Sequence, residues 1–529
     1  MRKLSALLIF IVLFSLLSSC RRRDAGVVTV ALPETFSTFN TLTSEKSDAA
    51  AERVKNLLFN TLVRKDATFS YTGELARDIV TSPDGLTVTF LLRDGVKFHD
   101  GRELTAADVK YTFDELFKSK GFKSFAFYDP ASATSDGKPL AKAPVGAGKP
   151  HIESLTTPDA KTVVFKLSRA SLKNQLLANL VAVPIVADGT VAQLASAPMG
   201  TGPFKFVSID PSQSVVELAA HSDYWEGAPK LERIRLKTVT DANSLQAELA
   251  TGAVDIAPNP NNISPDTVKA FSASPNLKVE QSDGSNIQYL VFNTQAAPLE
   301  NVKVRQAIAY AIDRERIVRD LLFDQAKIAD SILPVASWAY SSGTVYRFDP
   351  AKAKQLLQEA GYKNEKILFK YGSGNLAVNQ YAQVIQSSLT DVGLNIQIET
   401  LERQVALGQV AQGQYGLFTG VFVGGNQDPI YFRDLFSSTK IPTAQIAGFN
   451  RSRYANSEID KLVEEAANIT DQARAKEIYS SIWSTVSSEM PLLPLWYPAN
   501  IVVANKRIGN IKISPSGDWS FIKDITVSN

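Results

Sequence analysis

One cysteine and three histidines are all that 529 residues contain of the two residue types that build most protein zinc sites. A lone thiol cannot close an internal disulfide, and so few imidazoles leave no Cys/His set for a structural or catalytic metal. His99, His151 and His221 lie far apart in sequence, and neither HExxH nor GxSxG occurs, so the patterns of zinc hydrolases and serine hydrolases are absent. A P-loop is absent too, which places any ATP hydrolysis on another subunit. No charge sign dominates: 56 Lys and Arg face 54 Asp and Glu. A phosphate backbone is recognised through a basic excess, so nucleic acid is not an expected partner. Glycine (29) and proline (25) are ordinary in number, which excludes collagen and low-complexity chains. The longest apolar run, residues 4–17, is shorter than the ~20 residues needed to span a bilayer.

That run follows Arg2 and Lys3 and ends in Leu17-Ser18-Ser19-Cys20. A short apolar segment behind a basic start reads as an export signal. Its end resembles a bacterial lipobox, in which the cysteine thiol is diacylated before cleavage. Residues 1–19 are therefore expected to be a lipoprotein signal peptide, Cys20 the lipid-attachment site (diacylglycerol and palmitate), and residues 20–26 a tether. More than one acyl chain holds a globular body on a membrane, and Arg21, Arg22 and Arg23 add attraction to anionic headgroups. The expected location is the periplasmic or extracytoplasmic face of a bacterial envelope.

From Val27 onward strand and helix patterns interleave, which predicts an α/β chain with several sheets. VVTVAL reads as a buried strand, and residues 52–62 as a helix. Pro83-Asp84-Gly85 turns into a strand with Val88, Phe90 and Leu92 on one face. Thr105 and Asp108 form a capping box ahead of a helix burying Val109, Phe113 and Leu116. Residues 118–150 lack periodicity and read as a long surface loop. Asn301 and Asp313 are placed to cap two helices, with Arg305 anchoring the first through charged hydrogen bonds. Pro350 opens a helix that Gly361 stops. Strands at 367–371 and 394–401 flank a helix at 379–392, and a long helix is expected over 459–487.

LLRDGVKFHDGRELTAADVKYTFD (91–114) resembles the signature of the dipeptide, oligopeptide and nickel group of extracellular solute-binding proteins, the receptors of ABC importers. GTGPFKF (200–206), YWEGAPKLERI (224–234), VRQAIAYAIDRERIV (304–318) and FDPAKAKQLLQEAGY (348–362) follow in the family's order. The resemblance implies a two-lobed periplasmic-binding-protein-like α/β fold with an extra small α/β subdomain in the first lobe. Lobe I would span 27–281, with the inserted subdomain at about 63–185. Lobe II would span 282–492, and 493–529 would return to lobe I. Two crossovers, near 282–286 and near 491–494, would form the hinge.

The resemblance also implies a function: capture of a small solute, peptide favoured, between closing lobes, and delivery to an ABC permease with its ATPase subunits. Such a receptor is a monomer, needs no cofactor or metal of its own and has no catalytic residue. The loop GVFVGGNQDP (420–429) aligns with the family's cleft-lining segment, making Phe422, Gly425, Asn426 and Asp428 candidate ligand-binding residues. Asn286 and Tyr289, beside the first crossover, join them. Peptide receptors of the group hold the ligand ammonium with an aspartate where this chain has Gly425, so Asn426 and Asp428 are the candidate substitutes. Two other function classes compete: a surface receptor or adhesin using the same fold without transport, and a secreted hydrolase.

Overall fold

The computed structural model describes residues 26–45, 48–129, 134–135, 138–139, 148–424, 427–443, 448–469 and 471–528. The apolar run and Cys20 lie outside them. Six strands carry the architecture: β1 (Val27–Leu32), β2 (Leu277–Ser282), β3 (Ile287–Phe292), β4 (Leu417–Phe422), β5 (Leu492–Pro498) and β6 (Asn500–Asn505). The expected VVTVAL strand is β1, at the centre of a seven-stranded sheet. That sheet is ordered Phe204–Asp210, Val215–Ala220, Arg233–Thr238, β1, Ile256–Pro258, β6, β2. A six-stranded sheet is ordered Ala326–Ile328, β5, β3, β4, Lys366–Gly372, Asn395–Leu401. All six residues of β3 are buried, because helices cover both faces of its sheet; each large apolar side chain so buried contributes about 1.5–3 kcal/mol.

A separate four-stranded antiparallel sheet, Ile152–Thr156, Thr162–Leu167, Thr87–Leu92 and Ala76–Thr81, packs into the same apolar core as the seven-stranded one. Its alternating Val88, Phe90 and Leu92 are buried as their period requires. The Asp108 carboxylate accepts the Thr105 backbone N–H at 2.9 Å and opens the helix Ala106–Ser119. Asn301 and Asp313 accept backbone N–H groups at the starts of Val302–Ala311 and Arg314–Asp320. Arg305 donates to the Leu299 carbonyl at 2.6 Å and the Met490 carbonyl at 3.0 Å, tying its helix to the start of β5. The whole is a two-lobed α/β fold with a small extra sheet in the first lobe and two crossovers between lobes.

Four expectations need correction. The helix expected at 52–62 runs Ala49–Leu58, because Asp48 caps it and the backbone turns extended at Phe59; Leu62 is buried without being helical. Within 118–150, Phe122–Phe127 forms a 3-10 helix that buries Ser124 and Phe127 instead of a surface loop. The expected long helix is two, Ser457–Asn468 and Gln472–Glu489, because Asp471 caps the second by accepting the Arg474 N–H. The second crossover is not near 491–494. Leu492–Pro498 pairs with β3 and Ala326–Ile328, so the chain changes sheets at Ala499. Pro494, which lacks a donor, sits opposite Tyr289 where the β3–β5 register shifts, a position where a strand tolerates proline.

The first crossover is Asp283-Gly284-Ser285-Asn286, between β2 and β3. The two crossings lie against each other: a Cβ on Gly284 would fall 1.9 Å from the Pro498 carbonyl oxygen. Asn500 Nδ2 reaches the Asp283 carbonyl at 3.3 Å, and the Ala499 N–H reaches the Gln325 carbonyl at 3.0 Å.

Candidate ligand-binding cleft

β3 and β4 run antiparallel, with Ile287 opposite Phe422 and Tyr289 opposite Gly420. Tyr289, Gly420 and Phe422 therefore share one face of the sheet. A Cβ on Gly420 would lie 2.9 Å from the Tyr289 oxygen, so glycine leaves the phenol room to lie across β4. The Tyr289 ring stacks on Phe422 at 4.2 Å between centroids and 19° between planes. Tyr289 is 1% exposed, and its oxygen accepts from Arg451 Nη1 at 3.3 Å. A shallow crevice of about 10 Å3, room for about one water molecule, opens here, walled by Tyr289, Phe422, Phe436, Phe449 and Arg451 among others.

Asn286 is half-buried, and its Oδ1 accepts the Gly424 N–H at 3.2 Å, holding the loop after β4 against the first crossover. Gly425 and Asn426 lie outside the described residues. Asp428 is buried and does two things. Its Oδ1 accepts the Ile430 N–H at 2.9 Å, closing a turn around Pro429. Its Oδ2 accepts the Tyr71 hydroxyl, which comes from the other lobe.

The surrounding polar groups continue that link. Lys65 Nζ donates to Gln427 Oε1 at 3.2 Å, and Gln427 Nε2 donates to Ser285 Oγ of the first crossover at 2.7 Å. Burial, and next the Asp428 charge, push the Tyr71 pKa well up, so the phenol stays a donor. Burial pushes the Lys65 pKa down against the opposing pull of Asp428. Lys65 and Tyr71 belong to one short hairpin, Val63–Lys65 with Tyr71–Gly73. The tip of that hairpin adds the Thr68 carbonyl, accepting the Trp338 N–H at 3.1 Å, and Ser70, accepting from Gln472 at 3.3 Å. The lobes thus touch through a built polar contact that Ser285 ties to the first crossover.

The structure brings Phe422, Tyr289, Asn286 and Asp428 to one end of β3 and β4. Sequence reasoning missed Tyr71, Lys65, Gln427 and Arg451. The hairpin strands are three residues each, too short for a period to show which face they present.

Two histidines that are distant in sequence also meet. The rings of His99 and His221 stand edge to face at 5.1 Å. His99 Nδ1 accepts the Gly200 N–H at 3.3 Å, which makes Nε2 the donor to the Gly202 carbonyl at 3.2 Å. His221 Nδ1 faces the same carbonyl at 3.1 Å. Burial, with His221 as the next cause, lowers the His99 pKa to about 3, so the ring is a neutral clamp on the GTG turn. Among the described residues no group of three or more His, Cys, Asp or Glu is placed to hold a metal. No helix among them is long and apolar enough to cross a membrane.

The profile of the bacterial extracellular solute-binding proteins, family 5 middle, matches residues 70–443. The chain is 28% identical to heme-binding protein A of Haemophilus influenzae over 93% of its own length and 90% of that protein's. It is 28% identical to the oligopeptide-binding protein AppA of Bacillus subtilis, over 91% of this chain and 88% of the other. The solved structure of that AppA, in complex with a nonapeptide, superposes with a TM-score of 0.69 at 25% identity, covering 95% of this chain and 99% of that one. The profile covers well over half of the chain, which belongs to the family 5 extracellular solute-binding proteins.

Proposed function

We propose that this chain is the substrate-binding component of an ABC importer, capturing a peptide or similar small solute between its lobes and passing it to a membrane permease. The observation that carries this reading is the Tyr71–Asp428 contact: two lobes joined by two crossovers meet through buried polar groups, which Gln427 ties to the first crossover. Each of those groups can be exposed and re-covered as the lobes part and close. Family membership and the peptide-binding relative support peptides as the first solute class. The lobes are read as 27–282 with 500–529, and 287–498, turning about 283–286 and Ala499. Binding and release need no bond-breaking step, so no residue is assigned a catalytic role.

The same reading takes residues 1–19 as a signal peptide and Cys20 as the lipid anchor that keeps the receptor, as a monomer, at the periplasmic or extracytoplasmic face of a membrane of the cell envelope. Intact mass with and without inhibition of lipoprotein signal peptidase checks this part. The receptor role is tested by native mass spectrometry of the protein isolated from its own host. A stoichiometric small solute, released on denaturation, is the expected result; a receptor that never retains one, and binds no peptide in a library screen, would sink the proposal.

A further inference from the structure

The lobes touch on both flanks of the crossings. In the six-stranded sheet β5 and β3 run to the crossings, with β4 beyond β3 and the strand Ala326–Ile328 beyond β5. The Tyr71–Asp428 contact follows β4, on one flank. On the other, the chain leaves the helix Arg314–Asp320 and turns sharply into Ala326–Ile328. Phe323 and Asp324 take φ of 51° and 61° in that turn. Two adjacent residues with side chains are unfavourable in the left-handed region unless their surroundings hold them there. Backbone bonds do so: the Asp324 N–H reaches the Val318 carbonyl at 3.0 Å, and the Gln325 N–H reaches the Leu322 carbonyl at 2.9 Å.

The turn presents a row of groups that meet the first lobe or a crossing. The Asp324 carbonyl accepts from Gln281 Nε2, at the end of β2, at 2.9 Å. Gln325 Nε2 donates to the Pro265 carbonyl at 2.6 Å, and the Gln325 carbonyl accepts the Ala499 N–H of the second crossing. Lys269, one turn along the helix that Pro265 opens, holds its Nζ 5.2 Å from the centre of the Phe323 ring. Lys327 pairs with Asp283 of the first crossing at 2.7 Å. Half-buried Gln325 thus grips a crossing through its backbone and the first lobe through its side chain, from the flank opposite Asp428. These bonds exist in the same conformation as the Tyr71–Asp428 contact. Rotation about the crossings displaces groups on either flank, so bonds made with the lobes together favour that arrangement wherever they stand. A larger closed fraction before solute arrives raises the apparent affinity in proportion.

We propose that Gln325 is a positioning residue: with the turn at 323–324 it clasps the lobes behind the crossings and holds a share of the solute-free protein closed. The inference goes beyond the receptor reading by placing part of the closing energy on the flank away from the solute. It rests on that reading for its consequence, a tighter apparent hold on whatever is captured.

The test is pulsed dipolar spectroscopy of the full chain with Cys20→Ser, spin-labelled at Lys166→Cys in the first lobe and Lys354→Cys in the second, both exposed positions. Bound solute is stripped by unfolding and refolding, and the ratio of short to long interlobe distances is read. Gln281→Ala with Gln325→Ala is expected to lower that ratio by about threefold or more, with a melting temperature within a few degrees of wild type. Gln325→Lys, which keeps a donor of similar reach, should stay within about twofold of wild type. Gln325→Glu, which sets an acceptor against the Pro265 carbonyl, should fall with the double variant. An unchanged or raised ratio in the double variant, equal behaviour of Gln325→Lys and Gln325→Glu, or a wild type with no short distance before solute is added overturns the clasp and leaves the receptor reading standing. Should the Gln325 variants fail to fold, Gln281→Ala alone, at an exposed position, decides: a lowered ratio supports the clasp and an unchanged one overturns it. The expected changes in a chain that retains no solute from its host support the clasp and remove the transport role.

Discussion

His99 illustrates how a single side chain ties pH to stability. Its folded pKa, about 3, lies far below the ordinary imidazole value of 6.5 because the mostly buried ring cannot easily take a charge beside His221. A depressed pKa means that the unfolded chain binds the proton first as pH falls. The stabilisation is complete above about pH 6.5 and is lost progressively toward pH 3, at up to about 1.4 kcal/mol per pH unit. Denaturant unfolding at pH 7.5 and 5 should show wild type losing about 1–2 kcal/mol more than His99→Gln across that interval. Equal losses in both would show that the clamp does not titrate as its surroundings require. The three histidines were readable as structural from sequence, since no catalytic motif surrounds them. The meeting of His99 and His221 was not, because the contact depends on how a turn at 200–202 folds between two distant segments. The same limit hid the meeting of Tyr71 with Asp428, which are 357 positions apart.

At the scale of elements, caps and periods were legible where local chemistry decides. Asp108, Asn301, Asp313 and Pro350 all start helices as their side chains dictate. Errors arose where tertiary pairing overrode local signals. Pro491 and Pro494 look like an interruption, yet β5 runs through Pro494 at a register shift. The helix expected over 459–487 breaks before Asp471, whose side chain caps a second helix by accepting the Arg474 N–H. Gly284 is the sharpest case of a pairing that local sequence does not display, since its need for a bare Cα comes from Pro498 on the other crossing. Gly284→Ala should separate the crossings by the width of a methyl group and cost about 1–3 kcal/mol, the range for overpacking a tight contact. A melting temperature unchanged from wild type, with unchanged solute affinity, would mean that the crossings are free to move apart.

For the whole molecule, the proposed receptor role assigns to the polar contact through the 63–73 hairpin the balance between open and closed forms. A solute shifts that balance only by binding the closed form more tightly. Small-angle scattering should show a smaller radius of gyration with saturating solute than without. Tyr71→Phe removes a hydrogen bond to a buried carboxylate, worth roughly 1.5–3 kcal/mol. It should therefore weaken solute affinity by about tenfold while leaving the melting temperature of the solute-free protein within a few degrees. An unchanged affinity would assign closure to other contacts. The two crossings, 283–286 and Ala499, run side by side and are stitched by the Asn500–Asp283 bond. Twin straps resist torsion, so the relative motion of the halves is confined to nearly one angular coordinate. One interprobe distance, measured by a pair of spin labels placed far from the straps, should then report the state of the entire protein.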